Sequence, residues 1–335
     1  MATSLRPISD QVIVITGASS GIGLATARLA AKKGANVLLT ARNADALAAV
    51  VRDIERAGGD ATYIAADVAF RDDMEKVARA AIDYFGRIDT WVNNAGLSIY
   101  GKLQEVSEED HRRLFDVNFW GVVNGSLAAL PHLKRRGGAL INVGSEVSDV
   151  AIPVQAMYSA TKHAVKGFTD ALRLELQEER APVSVTLVKP ASIDTPFIQH
   201  AKNYFQHQPK LPPPVYRPDD VARAILHAAS RPTRDIFVGG AGKLFSTLNK
   251  FVPGLIDWVN ASFMVKEQFT GEPASHAEGA LYRPGDDGQE RGDSQHMVRH
   301  SMYTSAVRHP LMASLLLAAA GAAVAAAINS AQEEA

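Results

Sequence analysis

Tyr158 and Lys162 stand four residues apart, and Ser145 lies thirteen residues before the tyrosine. These three residue types, in this order, can move a proton. A tyrosine hydroxyl titrates near pH ~10, so it exchanges protons at neutral pH only when positive charge stabilises its anion. Lys162 carries such a charge. At i and i+4 on a helix the two side chains share one face, about 5–6 Å apart at Cβ, so a helix from Gln155 to Arg180 aims both into one site. Ser145 follows the apolar run Ala139-Leu140-Ile141-Asn142-Val143, which presents its hydroxyl at a strand end, where it can hold a carbonyl oxygen. Taken singly, each residue also has an ordinary reading: a half-buried tyrosine, a solvated lysine, a serine in a turn.

The elements that must position them begin at the N-terminus. The apolar run Val12 to Ile15 leads into Thr16-Gly17-Ala18-Ser19-Ser20-Gly21-Ile22-Gly23. Residues without side chains let the backbone approach phosphates, and a helix starting near Gly21 points free N–H groups at them. Ser19 and Ser20 add hydroxyl donors. A glycine triplet alone is weak evidence for a dinucleotide site; here it sits in a strand–turn–helix and precedes Asn93-Asn94-Ala95-Gly96, which follows another strand. The second strand ends Leu38-Leu39-Thr40-Ala41-Arg42. An acidic residue there would bind the ribose 2′-OH of NAD, whereas a neutral alanine followed by the planar fork of Arg42 suits a 2′-phosphate and favours NADP. The alternative is a solvated arginine at a helix start.

Strands are predicted at 11–16, 35–40, 61–66, 88–93, 138–144, 183–188 and 235–238, with helices at 21–33, 43–58, 71–85, 108–134, 155–180 and 218–230. This alternation specifies an α/β fold, a Rossmann-type doubly wound parallel sheet of about seven strands, with ligands beyond the carboxyl ends of the strands. A helical extension follows the core.

Over residues 8 to 240 the chain resembles the short-chain dehydrogenase/reductase family. Gly17, Gly21 and Gly23 match its glycine motif, residues 93 to 96 its Asn-Asn-Ala-Gly motif, and Asn118, Ser145, Tyr158 and Lys162 its catalytic tetrad. The resemblance implies an NADP(H)-dependent oxidoreductase in which Tyr158 exchanges the proton. It also implies that Ser145 holds the substrate oxygen, that Lys162 binds the nicotinamide ribose and lowers the tyrosine pKa, and that Asn118 holds a water linking the lysine to solvent. The same comparison places Ile22 in the glycine turn, Asp67 and Val68 around adenine, Asn94, Ala95 and Gly96 along the cofactor's middle, and Pro190, Ile193 and Thr195 beside the nicotinamide carboxamide. Asp67 reads equally as a helix cap. Where the family carries Pro-Gly this chain has Pro190-Ala191. A homodimer through the family's long helices is implied too. The alternative reading is a non-catalytic dinucleotide-binding redox sensor or scaffold, which has no need of Tyr158 and Lys162 together.

Composition agrees. An apolar fraction of 47% over 335 residues is ample for one large domain with an appendage. Thirty-five basic residues nearly balance 36 acidic ones, so no nucleic-acid surface is expected. Without cysteine there are no disulfides or thiolate ligands, the ten histidines show no ligand spacing, and no metal is expected. The polar start, Met1 to Asp10, is unlike a signal peptide, and a cytoplasmic catalytic domain is expected.

The substrate is read less directly. The loop from Ala191 to Tyr216, with Phe197, Ile198, Tyr204, Phe205 and Leu211, suits a lid, and with Ile99, Tyr100, Val147 and Ile152 it suggests an apolar pocket for a lipophilic alcohol, aldehyde or ketone. These residues equally suit mere packing of the lid. After the catalytic domain at 1–240, residues 241–270, with Phe245 among them, read as a helical extension that covers the core, lines the substrate entrance or touches a membrane surface, 271–307 as a polar linker, and 308–330 as an apolar helix. Within it Leu311 to Ile328 is uncharged for eighteen residues, near the lower limit for a transmembrane helix, though half are alanine. It reads as a membrane anchor or a packed helix.

Overall fold

The computed structural model describes residues 4–275, 277–292, 294 and 300–308. Seven parallel strands form the central sheet: β1 Val12–Thr16, β2 Asn36–Ala41, β3 Ala61–Ala65, β4 Thr90–Asn93, β5 Gly138–Val143, β6 Val183–Pro190 and β7 Asp235–Val238. Their order is β7-β6-β5-β4-β1-β2-β3. β1, β4, β5 and β6 are buried along their whole length, as expected of parallel strands covered on both faces.

Helices α1 Gly21–Lys32, α2 Ala44–Arg56 and α7 Pro218–Ser230 cover one face. On the other lie α3 Arg71–Phe85, α4 Glu108–Phe115, α5 Gly121–Arg136 and α6 Ala156–Glu178. Local signals set their ends: the Asn43 side chain accepts from Ala46 N–H to start α2, Ser107 caps α4, and Gly86 at φ 77° ends α3 in a conformation that disfavours a side chain.

The single helix predicted over 108–134 is instead two, joined by a wide π turn at Asp116–Trp120. The cause is Asn118. Its Oδ1 accepts from Leu97 N–H at 2.8 Å, and its Nδ2 donates to Leu97 O at 2.9 Å and Thr161 Oγ1 at 3.2 Å. A π turn swings that side chain inward, where it is fully buried.

A buried polar chain ties the strands that carry the chemistry. Trp91 Nε1 donates to Asn93 Oδ1 at 2.8 Å, Asn93 Nδ2 to Asn142 Oδ1 at 2.9 Å, and Asn142 Nδ2 to Thr169 Oγ1 at 2.9 Å. β4, β5 and α6 are thus locked in register beneath the loops they support.

Beyond β7 come α8 Gly240–Phe251 and α9 Pro253–Val259. They leave Leu244, Phe251, Leu255 and Trp258 exposed. The strand Phe269–Pro273 pairs antiparallel with His207–Pro209. The segment expected as a linker then returns across the carboxyl ends of the sheet and reaches Asp220, whose Oδ2 accepts from Ser301 N–H at 2.9 Å, and β7, where Gly239 N–H donates to Thr304 Oγ1 at 3.1 Å. Among the described residues no helix is long and apolar enough to cross a membrane. The run Leu311 to Ile328, expected as a transmembrane anchor or packed helix, lies outside the described residues.

Gly125 faces the polar chain: a Cβ there would lie 2.1 Å from Asn93 Oδ1 and 2.8 Å from Trp91 Nε1. Gly125→Ala is expected to lose about 1–3 kcal/mol of stability by overpacking and by unpairing buried donors. Denaturant unfolding measures this; a midpoint equal to wild type contradicts it.

Candidate active site

A cavity of about 400 Å³ lies beyond the carboxyl ends of β1 and β4, where the strand order reverses. At one end are Arg42, Asp67 and Val68; along it lie Gly17, Ser19, Ser20, Gly21, Ile22, Asn94, Ala95 and Gly96; at the other end are Ser145, Tyr158, Lys162, Pro190, Ile193 and Thr195. Every predicted cofactor residue except Gly23 lines it. Gly23 instead permits close packing, since a Cβ there would fall 2.1 Å from Gly17 O. At Gly17 a Cβ would meet Ala95 Cα at 2.8 Å, and the backbone is left-handed there, at φ 64°. The turn is therefore a bare-backbone cradle, and it fits a dinucleotide pyrophosphate.

Of the tetrad, Asn118 stands outside the cavity wall and braces Leu97, while Ser145, Tyr158 and Lys162 face in. Ser145 Oγ accepts from Val147 N–H at 3.3 Å, which leaves its hydrogen free to donate. Lys162 Nζ donates to Val143 O at 3.0 Å and lies 5.8 Å from the Tyr158 ring centre. Burial lowers the Lys162 pKa to about 8. Burial also pushes the Tyr158 hydroxyl up to about 12, with the Ser145 hydroxyl acting against that rise and Glu146 adding to it. The lowering that the resemblance implies joins Lys162 with the positive ring of an oxidised nicotinamide; in the protein alone burial is the largest cause and acts upward.

Asp67, expected at adenine or as a helix cap, lines the cavity; its carboxylate accepts from Ala69 N–H at 3.0 Å and pairs with Arg113, while the helix that follows begins at Arg71 without a side-chain cap. Ala191, the departure from the family's Pro-Gly, sits where Gly239 and Gly242 leave room: a Cβ on either would approach its methyl to 2.8 and 3.1 Å.

The apolar end is only partly the one predicted. Tyr100, Val147, Ile152, Phe197 and Leu211 line the cavity, and the Phe197 ring lies 5.7 Å from that of Tyr158. Ile99 is buried in the core, Tyr204 donates to Asp110 Oδ2 at 2.6 Å, and Phe205 stacks on Phe269; none of the three, nor Ile198, lines the cavity. Phe245, in the extension read as covering the core, lining the substrate entrance or touching a membrane, lines the cavity. Sequence reasoning missed Met264, Glu146 and Gln155, and also Ala280, Pro284, Gly285 and Asp287 from the C-terminal segment. Met264 carries no family motif and comes from the extension, where spacing alone does not say which side faces the site. His200 lines the cavity and pairs through Nε2 with Asp286 O at 2.9 Å.

The comparisons agree with this geometry. The short chain dehydrogenase family model matches residues 11–204. The chain belongs to the short-chain dehydrogenase/reductase family and is an oxidoreductase of that class. It is 44% identical over 319 residues to an uncharacterized oxidoreductase of Bacillus subtilis, YxnA, covering 94% of this chain and 90% of that one. An alcohol dehydrogenase from the archaeon Thermococcus sibiricus, solved with 5-hydroxy-NADP, superposes with a TM-score of 0.60 at 30% identity, over 68% of this chain and 95% of its own. A family member from Burkholderia phymatum, solved with NAD, shares the fold with a TM-score of 0.64 at 24% identity, over 80% of this chain and 99% of its own.

Glu146, at the cavity wall between Ser145 and α8, has its carboxyl raised by burial to about 7. An acid whose folded pKa lies above its unfolded value costs nothing while both states are protonated and loses stability as pH rises toward the folded pKa. Wild-type stability should therefore carry a decline between pH ~4.5 and ~7 that Glu146→Gln removes. Melting curves across that range check it; equal pH dependence in both proteins contradicts it.

Proposed function

We propose that the protein is an NADP(H)-dependent oxidoreductase that interconverts a lipophilic carbonyl compound and its alcohol, with Tyr158 as the acid and base. The observation that carries this reading is that Ser145, Tyr158 and Lys162 line the same cavity as the glycine cradle. A bound nicotinamide dinucleotide supplies or accepts the hydride. The chain's own part begins at the substrate oxygen, which Ser145 Oγ holds by donating to it. Tyr158 Oη gives that oxygen its proton in reduction and removes it in oxidation. The positive charge of Lys162, 5.8 Å from the ring, favours the tyrosinate once the substrate has taken the proton. Tyr100, Val147, Ile152, Phe197, Phe245 and Met264 keep water from that oxygen and favour an apolar substrate.

The preference for NADP is supported by Ala41 and Arg42 at the end of β2, with Arg113 beside them, and by the NADP-type ligand of the Thermococcus enzyme. Pairing through α5 and α6 fits the exposed Leu127 and Leu174 on those helices and Trp120 just before α5.

Tyr158→Phe should abolish turnover and leave NADPH binding intact; NADPH oxidation with a panel of aldehydes and ketones measures it, and substantial residual activity overturns the assignment of Tyr158. Arg42→Ala should weaken NADPH more than NADH, by roughly 1.5–3 kcal/mol for a lost charge-assisted hydrogen bond. Titration of both coenzymes decides this, and equal losses for the two would show that Arg42 does not read the phosphate.

A further inference from the structure

The family model ends at residue 204, yet the cavity is walled in part by residues 280–287. This segment takes hydrogen bonds from groups that the fold reserves for the nucleotide. Arg42 donates to the carbonyls of Ala280, Leu281 and Arg283, Ser19 Oγ donates to Asp287 Oδ1 at 2.8 Å, and Gly21 N–H donates to Gln289 O at 2.8 Å. Gly288 N–H donates back to Ser19 O at 2.8 Å, and Glu290 pairs with Arg28 at 2.7 Å.

The attachment differs along its length. At the near end Ala280 and Leu281 are buried, Tyr282 donates to Asp110 Oδ1 at 2.7 Å, and Gly279 is pressed on the backbone of Ala201, where a Cβ would come within 2.5 Å. At the far end Ser301 is held by Asp220. Between these anchors Arg283–Glu290 is largely exposed on its outer side and is tied to the glycine turn and α1 by polar contacts. Polar contacts of this kind exchange with water at little net cost, whereas buried apolar anchors do not.

We propose that residues 280–290 are a cofactor clasp: a segment outside the family domain that completes the dinucleotide site, closes over its adenosine and pyrophosphate portions, and sets the rate at which cofactor leaves. The cavity runs beneath the segment, with the glycine turn on one wall and Ala280, Pro284, Gly285 and Asp287 on the other, and a bound cofactor takes over the donors of Ser19, Gly21 and Arg42 while the outer side of the clasp stays over it. Release of the cofactor requires Arg283–Glu290 to lift while both ends stay fixed. The clasp rests on the dinucleotide reading given above, and deepens it by naming what encloses the cofactor.

Two measurements test it on the full chain. Dissociation of NADPH, followed by its fluorescence after a chase with excess NADP⁺, should be at least ten times faster in the Asp287→Ala/Glu290→Ala protein than in wild type. It should also be faster in Gly279→Val, which unseats the near anchor. Hydrogen exchange on wild type alone, which needs no variant to fold, should show amides of 283–290 more protected with saturating NADPH than without it. NADPH that binds wild type but leaves both variants at the wild-type rate overturns the clasp and spares the dinucleotide reading. Lower protection on binding NADPH also overturns it, because the segment would then be a competitor that the cofactor displaces. Failure of wild type to bind either NADPH or NADH removes the dinucleotide reading and the clasp together.

Discussion

The site depends on one topological constraint: after β3 the chain crosses back and adds β4 on the other side of β1. Loops leaving β1 and β4 therefore diverge to opposite faces, and a crevice opens between them. What fills that crevice is set by how closely two stretches of backbone approach. Gly17 lies against Ala95, and Gly23 against Gly17, at distances that leave no space for side chains. Thr16 secures the approach, since its Oγ1 accepts from the N–H groups of Asn94 and Ala95 at 2.9 and 3.0 Å, while Asn94 Nδ2 donates back to Thr16 O at 2.9 Å. The glycine turn and the Asn-Asn-Ala-Gly stretch are thus one structural unit drawn from two distant parts of the chain.

The catalytic end is organised by burial. Desolvation acts on Lys162 and Tyr158 in opposite directions, lowering one and raising the other, so in the protein alone both are shifted toward their neutral forms. The carbonyl of Val143 and the brace of Asn118 on Leu97 position this pair without adding charge.

The seven strands, the order of motifs and the residues facing the cavity were legible because parallel strands buried on both faces leave long apolar runs, and because glycine turns at their ends have few substitutes. The π turn at Asn118 was not. One asparagine within an otherwise helical pattern does not disclose that its side chain will pair with Leu97. Whether Tyr204 and Phe205 face the pocket or pack the lid stayed open for a related reason: an aromatic residue in a loop has no periodicity to tell which way it faces, and here Tyr204 turns to Asp110 and Phe205 to Phe269. Least legible were residues 280–290. Their glycine, proline and charge give the composition of a linker, and their contacts are mostly through backbone atoms, which every residue type possesses.

Those backbone contacts join chain positions far apart in the order of synthesis. Arg42 meets Ala280 across 238 residues, and Gly21 meets Gln289 across a still longer interval. A ribosome adds about 5–20 residues per second, so many seconds separate the emergence of the glycine turn from that of the segment that lies on it. Throughout that time the sheet can form with its cleft bare, and the wall made by residues 280–287 is laid down only when that segment emerges.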